Sequence, residues 1–360
     1  MVLLPVSIVA GFLAGLVYNR IPIWLDRQNQ SAQNTHGGTL PKSLTMLLDA
    51  FEEERLKHQK RSDVINLVLF SIFGGTSWAY FTQLDPRMAK AYFFALLFFG
   101  GIMWIKSRFF LLRKFTKEYK TEVLGGLIAG LDPRLEYTQD KRVGNEALRD
   151  SGLFGLTKVM ESNEPLSIEG EDYIHGSLGE GVDLQISDLE VYRGEGEQVR
   201  LVFAGTFLVV EFPEPFEAET YVMPDFSGAG VLQDLLHQVS NKKTFVVEAQ
   251  QVQLNNPEFE KVYDVFSTKE ESTKNLINSK VQEHLLALDN KSADKVLVAC
   301  SFKGNRMYMG SLFTNLRFEP SLHRPVNRAE DWQMIYTQLE LYLQLINALQ
   351  QSRAVTPANS

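Results

Sequence analysis

Two uncharged, aromatic-rich runs stand back to back in the first third of this 360-residue chain: Val64–Thr82 (VINLVLFSIFGGTSWAYFT) and Ala91–Ile105 (AYFFALLFFGGIMWI). As a helix the first is about 28 Å long, against roughly 30 Å for a bilayer's hydrocarbon core. Met88-Ala89 and Phe109–Leu112 extend the second, with Lys90 at its edge, and Asp85-Pro86 provides a stop between the two. The pattern predicts a transmembrane helical hairpin over 63–112. Arg55, Lys57, Lys60 and Arg61 precede it, Lys106, Arg108, Arg113, Lys114 and Lys117 follow it, and its loop carries only Arg87. Lys and Arg are retained on the cytoplasmic side. The expectation is a multi-pass protein of the bacterial inner (cytoplasmic) membrane, with membrane lipids around the hairpin and the large C-terminal domain in the cytoplasm.

Charge divides the chain at the same place. Residues 1–117 hold 14 Lys+Arg and 7 Asp+Glu, a net of +7; residues 118–360 hold 22 and 37, a net of -15. A body this acidic repels phosphate backbones, so nucleic acid is not an expected partner. The single cysteine, Cys300, excludes an internal disulfide and a cysteine-based zinc site.

Before the hairpin, residues 1–27 open on an apolar run, Met1–Tyr18, with Arg20 and Arg27 after it. The run has neither the basic start nor the cleavage site of a signal peptide. A third span or a helix lying on the membrane both fit. Residues 28–42 are polar with Gly37-Gly38 and Pro41 and read as a linker. Residues 43–62 have helical periodicity, with Leu44, Leu47, Leu48, Phe51 and Leu56 on one face and Ser43 placed as N-cap.

After the hairpin, 113–352 is expected to form an α+β domain and 353–360 a frayed tail. Phe115–Leu131 is predicted helical, with GGLIAG allowing close packing or marking its end. LEYTQD is a short strand candidate, Asn145–Phe154 a short helix, and the acidic Glu161–Asp172 a loop. From Tyr173 the period becomes two, through YIHGSLG, VDLQISDLEVYRG, VRLVFAGTFLVVEFP and AETYVMPD. Gly230–Ser240 is predicted helical, TFVVEAQQVQL and Phe259–Ser267 strands, and Thr268–Asp289 one long helix. A hairpin turns at Gly304-Asn305. Glu330–Gln351 is an amphipathic helix burying Ile335, Leu339, Tyr342, Leu345, Ile346 and Leu349.

Chemistry is sparse. His175, beside Gly176 on a strand with Asp172 and Asp183 near in sequence, is the one candidate general base. A lone strand histidine is more often a hydrogen-bonded structural residue. His237 and His284 fall on predicted helices, and His36, His58 and His323 in polar surroundings. No two histidines have metal-ligand spacing, so neither a metal site nor a cofactor site is expected. Gly176, Gly179 and Gly181 lie between strands without a following helix or lysine, which reads as a turn rather than a phosphate loop. Cys300 sits in an apolar strand and is expected to be buried and inert.

Several stretches taken together resemble the Domain-of-Unknown-Function-3137 family of bacterial membrane proteins. They are Arg149–Phe154 (RDSGLF), Asp172–Val191, Val202–Phe212, Asn256–Asn278 (NPEFEKVYDVFSTKEESTKNLIN) and Phe302–Leu312. The resemblance implies a membrane hairpin carrying an α+β domain, no assigned catalytic residue, and a LemA-like membrane protein as a candidate partner. The expected function is a non-catalytic interaction or scaffold module. The alternatives are a membrane-tethered hydrolase using His175, or an accessory subunit of an envelope or transport system.

Overall fold

The computed structural model describes residues 42–83, 98–99, 101–102, 105–106, 113–153, 165–224, 249–290, 297–312 and 324–354. The chain divides into two compact units, 1–123 with 318–332, and 124–317 with 333–360.

In the first unit, helix α1 spans Lys42–Gln83. Its buried residues are Leu44, Leu48, Phe51, Arg55, His58 and Ser62. Steps of four and three alternate along this set, which is the heptad spacing of a helix seam. The facing helix, α2, runs over 113–131 and passes through a π-helical turn at Lys120–Leu124. Phe115, Tyr119, Lys120 and Val123 are its buried residues in this unit. Phe51 meets Tyr119 edge-on at 5.9 Å, and His58 meets Phe115 at 5.6 Å. Contacts that rise along α1 and fall along α2 make the pair antiparallel. Leu56, expected on the buried face, is 41% exposed, because the seam continues through Arg55 and His58 instead.

The apolar run after Ser62 is the second half of α1. Among the described residues no helix is long and apolar enough to cross a membrane. This overturns the transmembrane hairpin, and with it the membrane assignment, the multi-pass inner-membrane location and the cytoplasmic side given to the body. The run contains Asn66, Ser71 and Gly74, and it continues a helix whose first half is densely charged. Most of the second run lies outside the described residues, as do Met1–Tyr18 and the 28–41 linker.

A short segment closes the first unit. Glu52 Oε2 accepts the Val326 amide at 2.9 Å and Asp49 accepts the Asn327 side chain at 2.8 Å. The Trp332 indole donates to the Val326 carbonyl at 2.7 Å, and its ring lies 5.8 Å from Tyr119. Burial alone would raise the Glu52 carboxyl. The Arg55 guanidinium, hydrogen-bonded at 2.6 Å, and the Val326 amide outweigh burial and hold it below its ordinary value. A depressed carboxyl contributes stability above its unfolded pKa of about 4.3, and that stability is lost as pH falls through the lower folded value. Acidification below about pH 4 is therefore expected to release the Val326 segment, read from the Trp332 indole N–H resonance. Glu52→Gln should remove this pH dependence. An identical acid profile in the variant would show that Glu52 does not set it.

The second unit is built on a nine-stranded antiparallel sheet in the order β1-β2-β3-β4-β9-β8-β5-β7-β6. The strands are β1 (Leu135–Thr138), β2 (Leu166–Gly179), β3 (Val182–Arg193), β4 (Arg200–Glu211), β5 (Thr220–Pro224), β6 (Gln250–Val252), β7 (Tyr263–Ser267), β8 (Leu297–Lys303) and β9 (Arg306–Leu312). Strand alternation sends successive residues to opposite faces. One register row, Ile186, Leu208, Met309, Cys300, Val222, Val265 and Val252, crosses seven strands and is buried throughout.

That face carries helices α6 (Ser279–Asn290) and α7 (Ala329–Ala354). The Tyr263 hydroxyl donates to the Leu285 carbonyl at 3.2 Å, and the Tyr342 hydroxyl to Ser311 at 3.4 Å. The apolar face expected for α7 is buried, from Ile335 to Leu349. The opposite sheet face packs Leu189, Phe203, Phe207, Tyr221 and Tyr308 beneath Val143, Leu148 and Leu153, from the segment around α3 (Asn145–Ser151). The Val143 amide donates to Ser187 Oγ at 3.0 Å and Ser301 Oγ donates to the Ser151 carbonyl at 2.6 Å, fastening that segment to β3 and β8.

The α+β body is thus as expected, with local corrections. The predicted acidic loop is largely strand: β2 begins at Leu166 because Leu166 and Ile168 pack on the core while Ser167 and Glu169 point outward. The predicted long helix is two, α5 (Glu270–Leu276) and α6, since Asn278 accepts the Lys280 and Val281 amides and starts a new helix. Pro257–Glu260 is a helical turn, α4, capped by Asn256, so the following strand begins only at Tyr263. The predicted Gly230–Ser240 helix lies outside the described residues.

Candidate functional site

His175 lies on β2, half-buried, between Glu136 of β1 and Gln185 of β3 in register. Its ring stacks on Tyr173 at 4.8 Å with 25° between planes. Burial holds the Tyr173 phenol above its ordinary pKa, so it stays neutral. The two carboxylates near His175 in sequence are placed elsewhere. A bulge between Glu171 and Ile174 turns Asp172 inward with φ +59°, buried, where it accepts the Tyr137 hydroxyl. Burial, then the charge of Asp172, keeps that phenol protonated. Asp183 is exposed and paired with Ser177, two positions along the ladder from His175. A general base needs a group to orient it, and proximity in sequence does not become one here.

The glycines of HGSLGEG divide into two roles. Glu180 and Gly181, at φ +53° and +73°, make the two-residue turn of the β2–β3 hairpin, as expected. Gly176 is needed for close approach: a Cβ there would lie 2.2 Å from the Arg134 carbonyl oxygen, so β1 could not pair with β2.

Two further polar groups were not read from the sequence. Thr220, Ser267 and Thr273 form a buried hydroxyl cluster at 2.6–3.2 Å, in which Thr273 Oγ1 also donates to the Lys269 carbonyl. It fixes the start of α5 against β5 and β7. Asp188, Thr206 and Ser311 adjoin across β3, β4 and β9; Thr206 Oγ1 donates to Asp188 at 2.8 Å, and Gln338 donates to Tyr342 at 2.7 Å. The Tyr342 phenol is pushed up to about 12 by burial. Each set joins elements through internal hydrogen bonds, which explains it as architecture.

Cys300 is buried on β8, and burial pushes its thiol up, so it is not a thiolate nucleophile. His284 is half-buried on α6, whereas His36, His237 and His323 lie outside the described residues. His58 is not in polar surroundings: it is 5% exposed, inside the α1 seam.

No curated protein matches the chain. One solved structure, the crystal structure of the mycobacterial trehalose monomycolate transport factor A, TtfA, aligns at 8% identity with a TM-score of 0.31, covering 62% of this chain and 95% of that one. A likeness this low carries no argument. Residues 201–351, from β4 into α7, match the family described as "Protein of unknown function (DUF3137)".

Proposed function

We propose that the sheet unit is a non-catalytic interaction module that receives a protein partner with a basic contact surface on the β1–β2–β3 wing. The observation that carries this is the stacked Tyr173–His175 pair, half-buried on a sheet face with exposed Glu136 opposite His175 and exposed Asp183 further along. An aromatic pair flanked by carboxylates offers a guanidinium or ammonium both a ring face and a counter-charge. The net charge of -15 over residues 118–360 draws the same kind of partner from a distance.

The test places a photo-crosslinking amino acid at Gln185 in living cells. One discrete adduct is expected, weakened by Tyr173→Ala and by the charge reversals Glu136→Lys and Asp183→Lys. His175→Gln, which breaks the stack on Tyr173, should weaken the adduct and cost about 1 kcal/mol of stability. Loss of the protein's cellular phenotype in His175→Gln, equal to a deletion and with the adduct intact, would instead favour the hydrolase alternative.

A further inference from the structure

The α1–α2 seam holds a buried histidine that nothing in the packing explains. His58 is 5% exposed, and its Nδ1 is buried with no hydrogen-bond partner. Buried imidazole nitrogens are ordinarily satisfied, by a hydrogen bond or by a metal. Phe115, fully buried, lies against the ring at 5.6 Å and fills one side of it. An apolar side chain would suit this seam position better than an imidazole with an idle nitrogen.

Two carboxylates converge on the same ring. Glu54 lies one turn earlier on α1, and residues four apart share a helix face. Glu118 comes from α2, three residues after Phe115. One ring nitrogen of His58 and one oxygen from each carboxylate all lie within 4.8 Å of one another. We propose that Glu54, His58 and Glu118 bind a divalent first-row transition ion, and that this ion staples α1 to α2.

The donor set selects the class of ion. Calcium and magnesium take oxygen ligands, whereas imidazole with carboxylates suits zinc, manganese, cobalt or ferrous iron. Bonds of about 2.0–2.1 Å set neighbouring ligand atoms in a tetrahedral site about 3.3 Å apart. The three groups therefore close in by side-chain rotation, for which exposed Glu54 is free. The existing competitor for Glu118 is Lys114, whose Nζ stands 3.6 Å from Glu118 Oε1 in an exposed pair. Such pairs are weak and yield to a dication. Three protein ligands leave a coordination position for water. No two histidines have metal-ligand spacing, and a Glu-x-x-x-His turn completed by a carboxylate from another helix has no such signature.

The test uses the full chain without an affinity tag, stripped with a chelator and titrated with Zn2+ against a chromophoric competitor. The expected result is a specific Zn2+ site whose filling raises Tm. Glu118→Gln and His58→Phe should each weaken binding by at least about 10- to 100-fold, the loss seen even for outer-shell changes, and abolish the Tm shift. His284→Ala should leave both intact. With Co2+ in place of Zn2+, a visible ligand-field band should appear in the wild type and vanish in His58→Phe. His58→Phe keeps the seam apolar; should it fail to fold, Glu54→Gln and Glu118→Gln carry the test from positions at the seam's margin. Equal Zn2+ affinity in wild type and variants, or Zn2+ binding without a change in Tm, would overturn the site and leave adventitious surface binding.

Discussion

Gly205→Ala is expected to leave little folded protein. Gly205 sits mid-strand in β4, between Leu189 of β3 and Leu312 of β9. A Cβ built on it would stand 2.0 Å from the Ser311 carbonyl oxygen and 3.0 Å from the carbonyl carbon. These are backbone atoms in a paired strand, so no rotamer change makes room. The β4–β9 ladder would have to part, and with it the rows on both faces, since β9 joins the β1–β4 half of the sheet to the rest. Ordinary overpacking costs about 1–3 kcal/mol; this change should exceed about 4 kcal/mol, the range reserved for a few severe mechanisms. Gly125→Ala is the control. Gly125 opens the helical stretch Gly125–Leu131 of α2, and a Cβ there meets nothing within 4 Å. Alanine should stabilise that helix by up to about 1 kcal/mol. Thermal unfolding followed by near-ultraviolet circular dichroism separates the two; a cooperative transition for Gly205→Ala within a few degrees of wild type would refute the steric argument.

The contrast between these glycines marks how far sequence patterns reach. GGLIAG fits close packing or a helix end, and the helix does end at Leu131 while Gly125 and Gly130 face open space; Gly205 in VFAGTFLVV, with no such signal, is the tight one. Close approach depends on which strand lies alongside, and that is a long-range fact. The β8–β9 hairpin was legible from Gly304-Asn305 and alternation, but its insertion between β4 and β5 was not. Strand β3 and the buried face of α7 were legible because burial is periodic in them, and β2 only from Tyr173 onward, whereas β4 and β5 are buried almost continuously. The α1 seam was only half legible. Leu44, Leu48 and Phe51 carry an apolar period, but its continuation through Arg55, His58 and Ser62 is polar and invisible to a hydrophobicity count. The membrane hairpin is overturned because, among the described residues, no helix is long and apolar enough to cross a membrane. At the candidate site, His175 was found, but a bulge sends Asp172 to Tyr137, and bulges leave little trace in sequence.

Tyr263 gives the second large effect and decides whether the FEKVYDVFS stretch is core or chemistry. Its ring is 2% exposed and lies 5.0 Å from Phe259, itself fully buried. Phe259 is set by the turn that Asn256 caps, accepting the Glu258 and Phe259 amides, and Asn256 also donates to Gln282 of α6 at 2.8 Å. Tyr263 therefore sits where β7, α4 and α6 meet. Burial drives its phenol well above its ordinary pKa, so it stays neutral, a hydrogen-bond donor to the Leu285 carbonyl rather than a base. Tyr263→Ala removes the ring and leaves a cavity, expected to cost about 3–5 kcal/mol. Tyr263→Phe keeps the volume and removes one hydrogen bond to a carbonyl already inside a helix, expected to cost about 1 kcal/mol. Urea unfolding should therefore rank wild type, then Tyr263→Phe, then Tyr263→Ala, with unchanged slope for the conservative variant. If the phenol instead carries chemistry, Tyr263→Phe would keep its unfolding midpoint and lose the cellular phenotype as completely as Tyr263→Ala. The burial of the hydroxyl against α6, away from the Tyr173–His175 face, argues for the ranked outcome.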